Sequence, residues 1–184
     1  MSDNLEPQGS ALGKKEIIGK GGLIAGSAAS IIGSLLVLIG FVLPWASCGN
    51  YRLSGLDIVT QSTSSNTTID GSGMFLCLIP FFAIGMLGIA IITIPATFWK
   101  KIPGAFKGIG MALITLLALL SCCPSGLFFT NIQSARNDPG NLGMGGFIQI
   151  EYGFWLTVFG IFVTLLGGVL GVGASLAEKT IKEA

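Results

Sequence analysis

Residues 22–45, GLIAGSAASIIGSLLVLIGFVLPW, carry no charged side chain, and how this stretch is read decides the fold. About 20 predominantly apolar residues suffice for one helix to cross the hydrocarbon core of a bilayer. Lys14, Lys15 and Lys20 stand just before it, as basic residues stand before a secretory signal. A signal, however, has an apolar core of about 7–15 residues and a small-residue cleavage site. This run is longer and ends in Leu43-Pro44-Trp45, so it reads as a retained transmembrane helix.

Three further runs repeat the pattern, at residues 74–99, 108–123 and 154–174. Pro124 lacks a backbone donor and is expected to end or kink the third. Composition agrees: 51% of the 184 residues are hydrophobic and 10% charged, where soluble domains carry about 25% charged residues. The expected fold class is an all-α membrane protein, a four-transmembrane-helix antiparallel bundle with a small extracytoplasmic β-structured cap. Residues 1–21 are expected as an N-terminal tail and 22–174 as the transmembrane domain, with outer loops at 46–73 and 124–153. Residues 175–184 form a C-terminal tail.

Lysine fixes the expected orientation. Lys14, Lys15 and Lys20, then Lys100, Lys101 and Lys107 in the short middle loop, then Lys179 and Lys182 all fall on one side. The two longer loops hold only Arg52 and Arg136. Short Lys/Arg-rich loops stay cytoplasmic, so both termini are expected inside a plasma or inner membrane. Trp45 and Trp155 then fall at the outer interface and Trp99 at the inner, the depth that amphipathic rings prefer.

Between helices in lipid, association depends on close backbone approach at small residues. The first span has Gly22, Gly26, Ser30 and Ser34 at four-residue spacing, with Ala25, Ala29 and Gly33 alongside. The fourth has Gly160, Gly167 and Ala174 at seven-residue spacing, and Gly171 four after Gly167. Gly26, Gly33, Gly160, Gly167 and Gly171 are therefore the expected packing residues, in a contact that is either internal or with another subunit. No span carries an ionisable residue in its interior, which argues against a self-contained proton-coupled transporter. A pore lined by carbonyls and by hydroxyls such as those of Thr93, Thr115 and Thr164 stays open.

In the first outer loop, Tyr51, Leu53 and the Leu56–Ile58–Val59 cluster read as short strands separated at Ser54-Gly55 and closed by Asp70-Gly71. Asn66-Thr67-Thr68 is a glycosylation sequon in a eukaryotic host. In the second loop Asp138-Pro139-Gly140 signals a turn, and Ile148, Ile150 and Tyr152 alternate with Gln149 and Glu151 as one more half-buried strand. A small sheet is expected to bury Leu53, Leu56, Ile58, Ile148 and Ile150, with Trp45, Gly55, Leu56, Ile150 and Tyr152 organising the cap.

Together LPWASC (residues 43–48), SGLDIV (54–59) and YGFWL (152–156) resemble the claudin-like tetraspan superfamily. In that family a Trp follows helix one, a Gly-Leu segment lies in the first extracellular loop, and glycine and aromatic residues open helix four. The likeness is one of fold, carried by Trp45, Gly55, Leu56 and Tyr152 to Trp155, and the short tails resemble those of a prokaryotic relative. No Trp follows Gly55-Leu56, and the expected pair of loop cysteines is reduced to Cys48. The resemblance therefore implies the architecture and not the tight-junction role.

Cys48, Cys77, Cys122 and Cys123 all fall toward the oxidising outer side, where disulfides persist. Cys122 and Cys123 are a poor pair for each other, so one reading joins Cys48 and Cys77 to these two. The other keeps all four as buried thiols acting as small apolar residues. Four-helix quinone-linked thiol–disulfide oxidoreductases, vitamin K epoxide reductase among them, resemble this outline. Their chemistry needs a Cys-x-x-Cys pair with a stabilised thiolate, and this sequence has no such pair.

Histidine is absent, which removes histidine-ligated haem, the usual zinc sites and any Ser-His or Cys-His catalytic pair. The outer carboxylates Asp57, Asp70, Asp138 and Glu151 lack calcium-loop spacing. Residues 141–146, NLGMGG, lack the strand–helix setting and the following Lys-Ser/Thr of a phosphate loop. The lysines are too dispersed for nucleic acid. No catalytic, cofactor or metal residue is expected. The expected partners are the lipid bilayer and either other membrane subunits or further copies of the chain. The leading expectation is a non-enzymatic accessory or scaffolding subunit, and the alternative is a homo-oligomeric channel or adhesion protein.

Overall fold

The computed structural model describes residues 8–64, 75–99, 104–137 and 148–183. Asn66, the turns Asp70-Gly71 and Asp138-Pro139-Gly140, residues 141–146, and Lys100 and Lys101 lie outside the described residues. Four long helices dominate: α1 (Gln8–Val42), α3 (Leu78–Phe98), α4 (Gly104–Asn137) and α5 (Tyr152–Glu183). After α1 come β1 (Pro44–Cys48), β2 (Tyr51–Ser54) and the short α2 (Gly55–Ser64), and β3 (Ile148–Ile150) leads into α5. All four long helices are long and apolar enough to cross a membrane, which marks a membrane protein.

Several boundaries differ from expectation: α1 begins at Gln8 and α5 runs to Glu183, so helix reaches into both expected tails. Helix α1 stops at Val42 rather than Trp45, because Pro44 cannot continue the ladder and instead opens a strand. Helix α4 does not stop at Pro124 but runs on to Asn137. In an apolar setting, ending a helix strands a turn of backbone groups at several kcal/mol each, whereas an interior proline costs about 3 kcal/mol. Hydroxyls on either side turn back onto the same helix: Ser121 Oγ donates to the Leu117 carbonyl at 2.9 Å and Ser125 Oγ to the Ser121 carbonyl at 3.0 Å. This continuation carries Phe128 and Phe129 to the sheet end of the molecule.

The core fills the space between the helices with Leu23 and Val37 of α1, Ile79, Ala83, Met86 and Ala90 of α3, Met111, Ile114 and Ala118 of α4, and Phe154 and Ile161 of α5. The outward faces are apolar too, as Ile91 and Ile92 of α3, Leu116 and Leu119 of α4, and Phe159 and Phe162 of α5 show. A helix apolar on all sides is what lipid solvation favours.

The sheet has the order β2-β1-β3, with both pairings antiparallel. Cys48 pairs with Tyr51 across the two-residue turn Gly49-Asn50, and Gly49 takes a left-handed φ of 60°, as the first position of a tight hairpin turn requires. Ala46 pairs with Leu53 and Pro44 with Ser54, so Trp45 is an extra residue facing none. Such a bulge bends the strand and re-aims its side chain.

The Leu56–Val59 cluster is helical in α2, not a strand. Ser54 caps that helix through a reciprocal box. Its Oγ accepts from the Asp57 amide at 3.1 Å, while Asp57 Oδ2 accepts from the Ser54 amide at 2.9 Å and hydroxyl at 2.7 Å. Ile58, Val59 and Ile150 pack against the core, but Leu53 and Leu56 are exposed rather than buried. Alternation at the ends of short elements carried less information than the capping box.

Candidate functional site

The most extensive interhelical contact joins α1 to α5, and glycines make it. A Cβ placed at Gly26 would lie 2.6 Å from the Gly167 carbonyl oxygen and 2.9 Å from the Gly171 amide. At Gly33 it would lie 2.7 Å from the Gly160 carbonyl, and at Gly160 2.7 Å from the Gly33 carbonyl. At Gly40 it would lie 2.7 Å from the Thr157 amide and 2.9 Å from the Gly153 carbonyl. The contacts thus climb α1 in steps of seven residues while descending α5 in the same steps. A seven-residue repeat keeps one seam facing its partner along a shallow crossing. Gly171 also contributes a second face, where an added methyl would overlap the Met111 side chain of α4.

The seam satisfies its own hydroxyls. Ser30 Oγ donates to the Gly26 carbonyl at 2.9 Å, Thr157 Oγ1 to the Gly153 carbonyl at 2.9 Å, and Thr164 Oγ1 to the Gly160 carbonyl at 2.8 Å. Each hydroxyl sits four residues after a glycine and turns back onto that glycine's carbonyl. Thr93, Thr97 and Thr115 bond back to their own helices in the same way. Ser34 differs: its hydroxyl is fully buried and has no partner among the described residues.

At the sheet end the seam finishes in an aromatic clamp. Trp45, expected at the bilayer interface, is instead wholly buried because the bulge in β1 turns it inward. Its Nε1 donates to the Gly40 carbonyl at 2.9 Å, and its backbone carbonyl accepts from the Glu151 amide at 2.9 Å. The rings of Phe41, Phe128 and Phe154 meet it edge-on, with centroids 5.4, 5.2 and 5.5 Å away. Gly55 fits under Phe41, where a Cβ would lie 2.9 Å from the ring. Gly153 fits against the chain at Leu43 and Pro44, where a Cβ would lie 2.5 Å from the Pro44 carbonyl oxygen. Trp45, Gly55 and Ile150 therefore stand together at the cap. Leu56 and Tyr152 do not join them: both are exposed, and Tyr152 is the first residue of α5 rather than part of a strand.

Gly40 and Gly153 extend the seam beyond the residues expected from the sequence. Their signal was legible as the same seven-residue spacing, continuing Gly26-Gly33 upward and Gly160-Gly167 downward. Lys107, expected in the middle loop, lies in the first turns of α4 with its side chain buried. Its Nζ stands 3.4 Å from the Thr97 carbonyl at the end of α3, where a cation offsets the helix dipole.

None of the four cysteines is joined in a disulfide, and the expected burial of all four as thiols does not hold, since Cys48, Cys122 and Cys123 are exposed and Cys77 is half-buried. Cys122 and Cys123 lie on the exposed surface of α4 and Cys48 on β1. Among the described residues no group of three metal-ligating side chains comes together. No family model, curated protein or solved structure matches this chain.

Proposed function

We propose that this chain is a claudin-like tetraspan protein acting without catalysis, as an accessory or scaffolding subunit of a larger membrane complex. Its helices cross the bilayer as an antiparallel bundle, with both termini on the cytoplasmic, lysine-rich side and the sheet outside. The observation that carries this reading is how the small-residue stripes are used. Gly26, Gly33, Gly160 and Gly167 are consumed inside the chain, so they fix a rigid bundle and leave partner contact to other surfaces. The clamp then holds a cap whose Tyr51 is 81% and Leu56 49% exposed. These exposed groups are the part of the cap offered to a partner. The gathering of Trp45, Gly55 and Gly153 around the Phe41 end of α1 supports the claudin-like part of the reading.

Native electrophoresis with mass spectrometry, after mild-detergent extraction from the source membrane, tests it. Co-migration with a stoichiometric set of other subunits, lost in a Tyr51→Asp, Leu56→Asp variant, is the expected result. Migration of the chain with copies of itself alone would overturn it and favour a channel or adhesion protein.

A further inference from the structure

A groove of about 390 Å³ runs along the surface between α4 and α5 in the half of the bundle nearest the sheet. Its floor and walls include Gly126 and Phe129 of α4, and Trp155, Val158, Phe162 and Leu165 of α5. Among the described residues no charged side chain lines it. Along α5 it extends from Phe154 to Leu165, about 16 Å at 1.5 Å per residue. That is the depth of one leaflet, half of a hydrocarbon core of about 30 Å.

Gly126 shows that the groove is an opening rather than a packing defect between large side chains. A Cβ built there meets nothing within 4 Å. Glycine inside a helix costs about 0.5–1 kcal/mol relative to alanine, and no neighbouring helix approaches here to require it. Above the groove, on the next turns of α4 toward the sheet end, lies a second depression walled by the same Phe129. Its other lining residues are Thr130, Gln133, Ser134 and Asn137, all uncharged hydrogen-bonding groups.

An apolar groove one leaflet deep, with a polar depression beyond the shared Phe129 wall, matches the polarity profile of a lipid. We propose that the α4–α5 groove binds one lipid of the sheet-side leaflet, its hydrocarbon tail against Gly126, Val158 and Phe162. Its uncharged, hydroxyl-rich head, of the glycolipid class, sits against Gln133, Ser134 and Asn137. A partner helix fits less well, because it crosses both leaflets over about 20 residues while the groove accompanies it through only one. Among the described residues no cation lines the mouth itself, and the exposed Arg136 stands beside it on α4. The inference rests on the membrane placement given above.

The test places the full chain in phosphatidylcholine nanodiscs doped with a monoglucosyl diacylglycerol bearing a diazirine in its tail. A parallel sample carries phosphatidylglycerol with the same diazirine tail. The glucosyl probe is expected to label peptides spanning 122–129 and 154–165 in preference to the Ile91–Ile92 face of α3, and the anionic probe is not. Gly126→Leu starts from a Cβ position with nothing within 4 Å and projects its side chain into the groove, so it should lose that labelling while the circular-dichroism spectrum stays unchanged. Gln133→Leu with Ser134→Ala should keep tail labelling but lose the preference for the glucosyl probe. Labelling spread evenly over α3, α4 and α5, labelling that survives Gly126→Leu, or equal labelling by both probes would overturn the inference. Release of the chain from its membrane by alkaline carbonate would instead overturn the membrane placement beneath it.

Discussion

Replacing Gly33 by Ala is the smallest change that loads the seam between α1 and α5. The new methyl would overlap Thr164 Oγ1 and lie 2.6 Å from the Thr164 amide nitrogen and 2.7 Å from the Gly160 carbonyl oxygen. The last two are backbone atoms and cannot rotate away. Ordinary contact begins near 3.4 Å, so α1 and α5 would have to part by about 0.8 Å at this level. The strain spreads, because Gly26 and Gly40 hold the helices equally close one repeat below and above. Overpacking of this kind costs about 1–3 kcal/mol, and the helix preference of alanine returns up to about 1 kcal/mol. A net loss of about 1–2 kcal/mol is expected. Gly88→Ala in α3, where a Cβ meets nothing within 4 Å, is the control and should be neutral or slightly stabilising. Unfolding by sodium dodecyl sulfate from dodecyl maltoside micelles, followed by circular dichroism and tryptophan fluorescence, measures both. If Gly33→Ala matches Gly88→Ala, the close approach at the seam is refuted.

Gly167→Leu brings a larger group against the Gly26 carbonyl and Ser30, and should abolish the folded monomer in the same titration rather than only a contact with other chains. Trp45→Phe orphans the Gly40 carbonyl and loses ring volume, a destabilisation of about 1–3 kcal/mol. It should also remove the blue-shifted part of the emission spectrum, and an unchanged spectrum would contradict the burial of Trp45. Ser34→Ala deletes a buried hydroxyl without a partner and should be neutral or stabilising by about 1 kcal/mol; a clear loss of stability would count against a dry, packed core. Hydrogen bonds from the Ser54 amide and hydroxyl hold the Asp57 carboxyl below its ordinary value of 3.8. A lowered folded-state value stabilises the cap of α2 at neutral pH, and that stabilisation disappears as pH falls past 3.8 through the folded value. The protection factors of the α2 amides, taken relative to the intrinsic exchange rate at each pH, should therefore fall on acidification in the native chain, with no such step in Asp57→Asn.

The four long helices were legible because apolar length alone announces them, and half of the seam was legible because glycine spacing survives in one dimension. Gly153 is hidden because it precedes the apolar run of the fourth span, and Gly40 because the small residues of the first span repeat more densely at four residues than at seven. Pro124 misled for a physical reason: the rule that proline ends helices assumes water to receive the freed carbonyls, and an apolar surround removes that option. The bulge that turns Trp45 inward depends on β1 pairing with β2 on one side and with the distant β3 on the other. Such a register is set by tertiary contact, so no local pattern announces it. Helix α2 was readable after all, since Ser54-x-x-Asp57 is a capping box. Four apolar residues in a short loop drew the eye to strands instead.

Cysteine accessibility tests the account at its centre, that the sheet stands on one side of a membrane and the termini on the other. Cys48 is exposed at the end of β1 and Thr180 is exposed near the end of α5. In chains carrying Ser at positions 77, 122 and 123, a membrane-impermeant maleimide is applied to intact cells and then to permeabilised ones. The account predicts that Cys48 reacts in intact cells, and that a Thr180→Cys chain with Ser at position 48 reacts only after permeabilisation. Reaction of both in intact cells, or of Thr180→Cys alone, would contradict it.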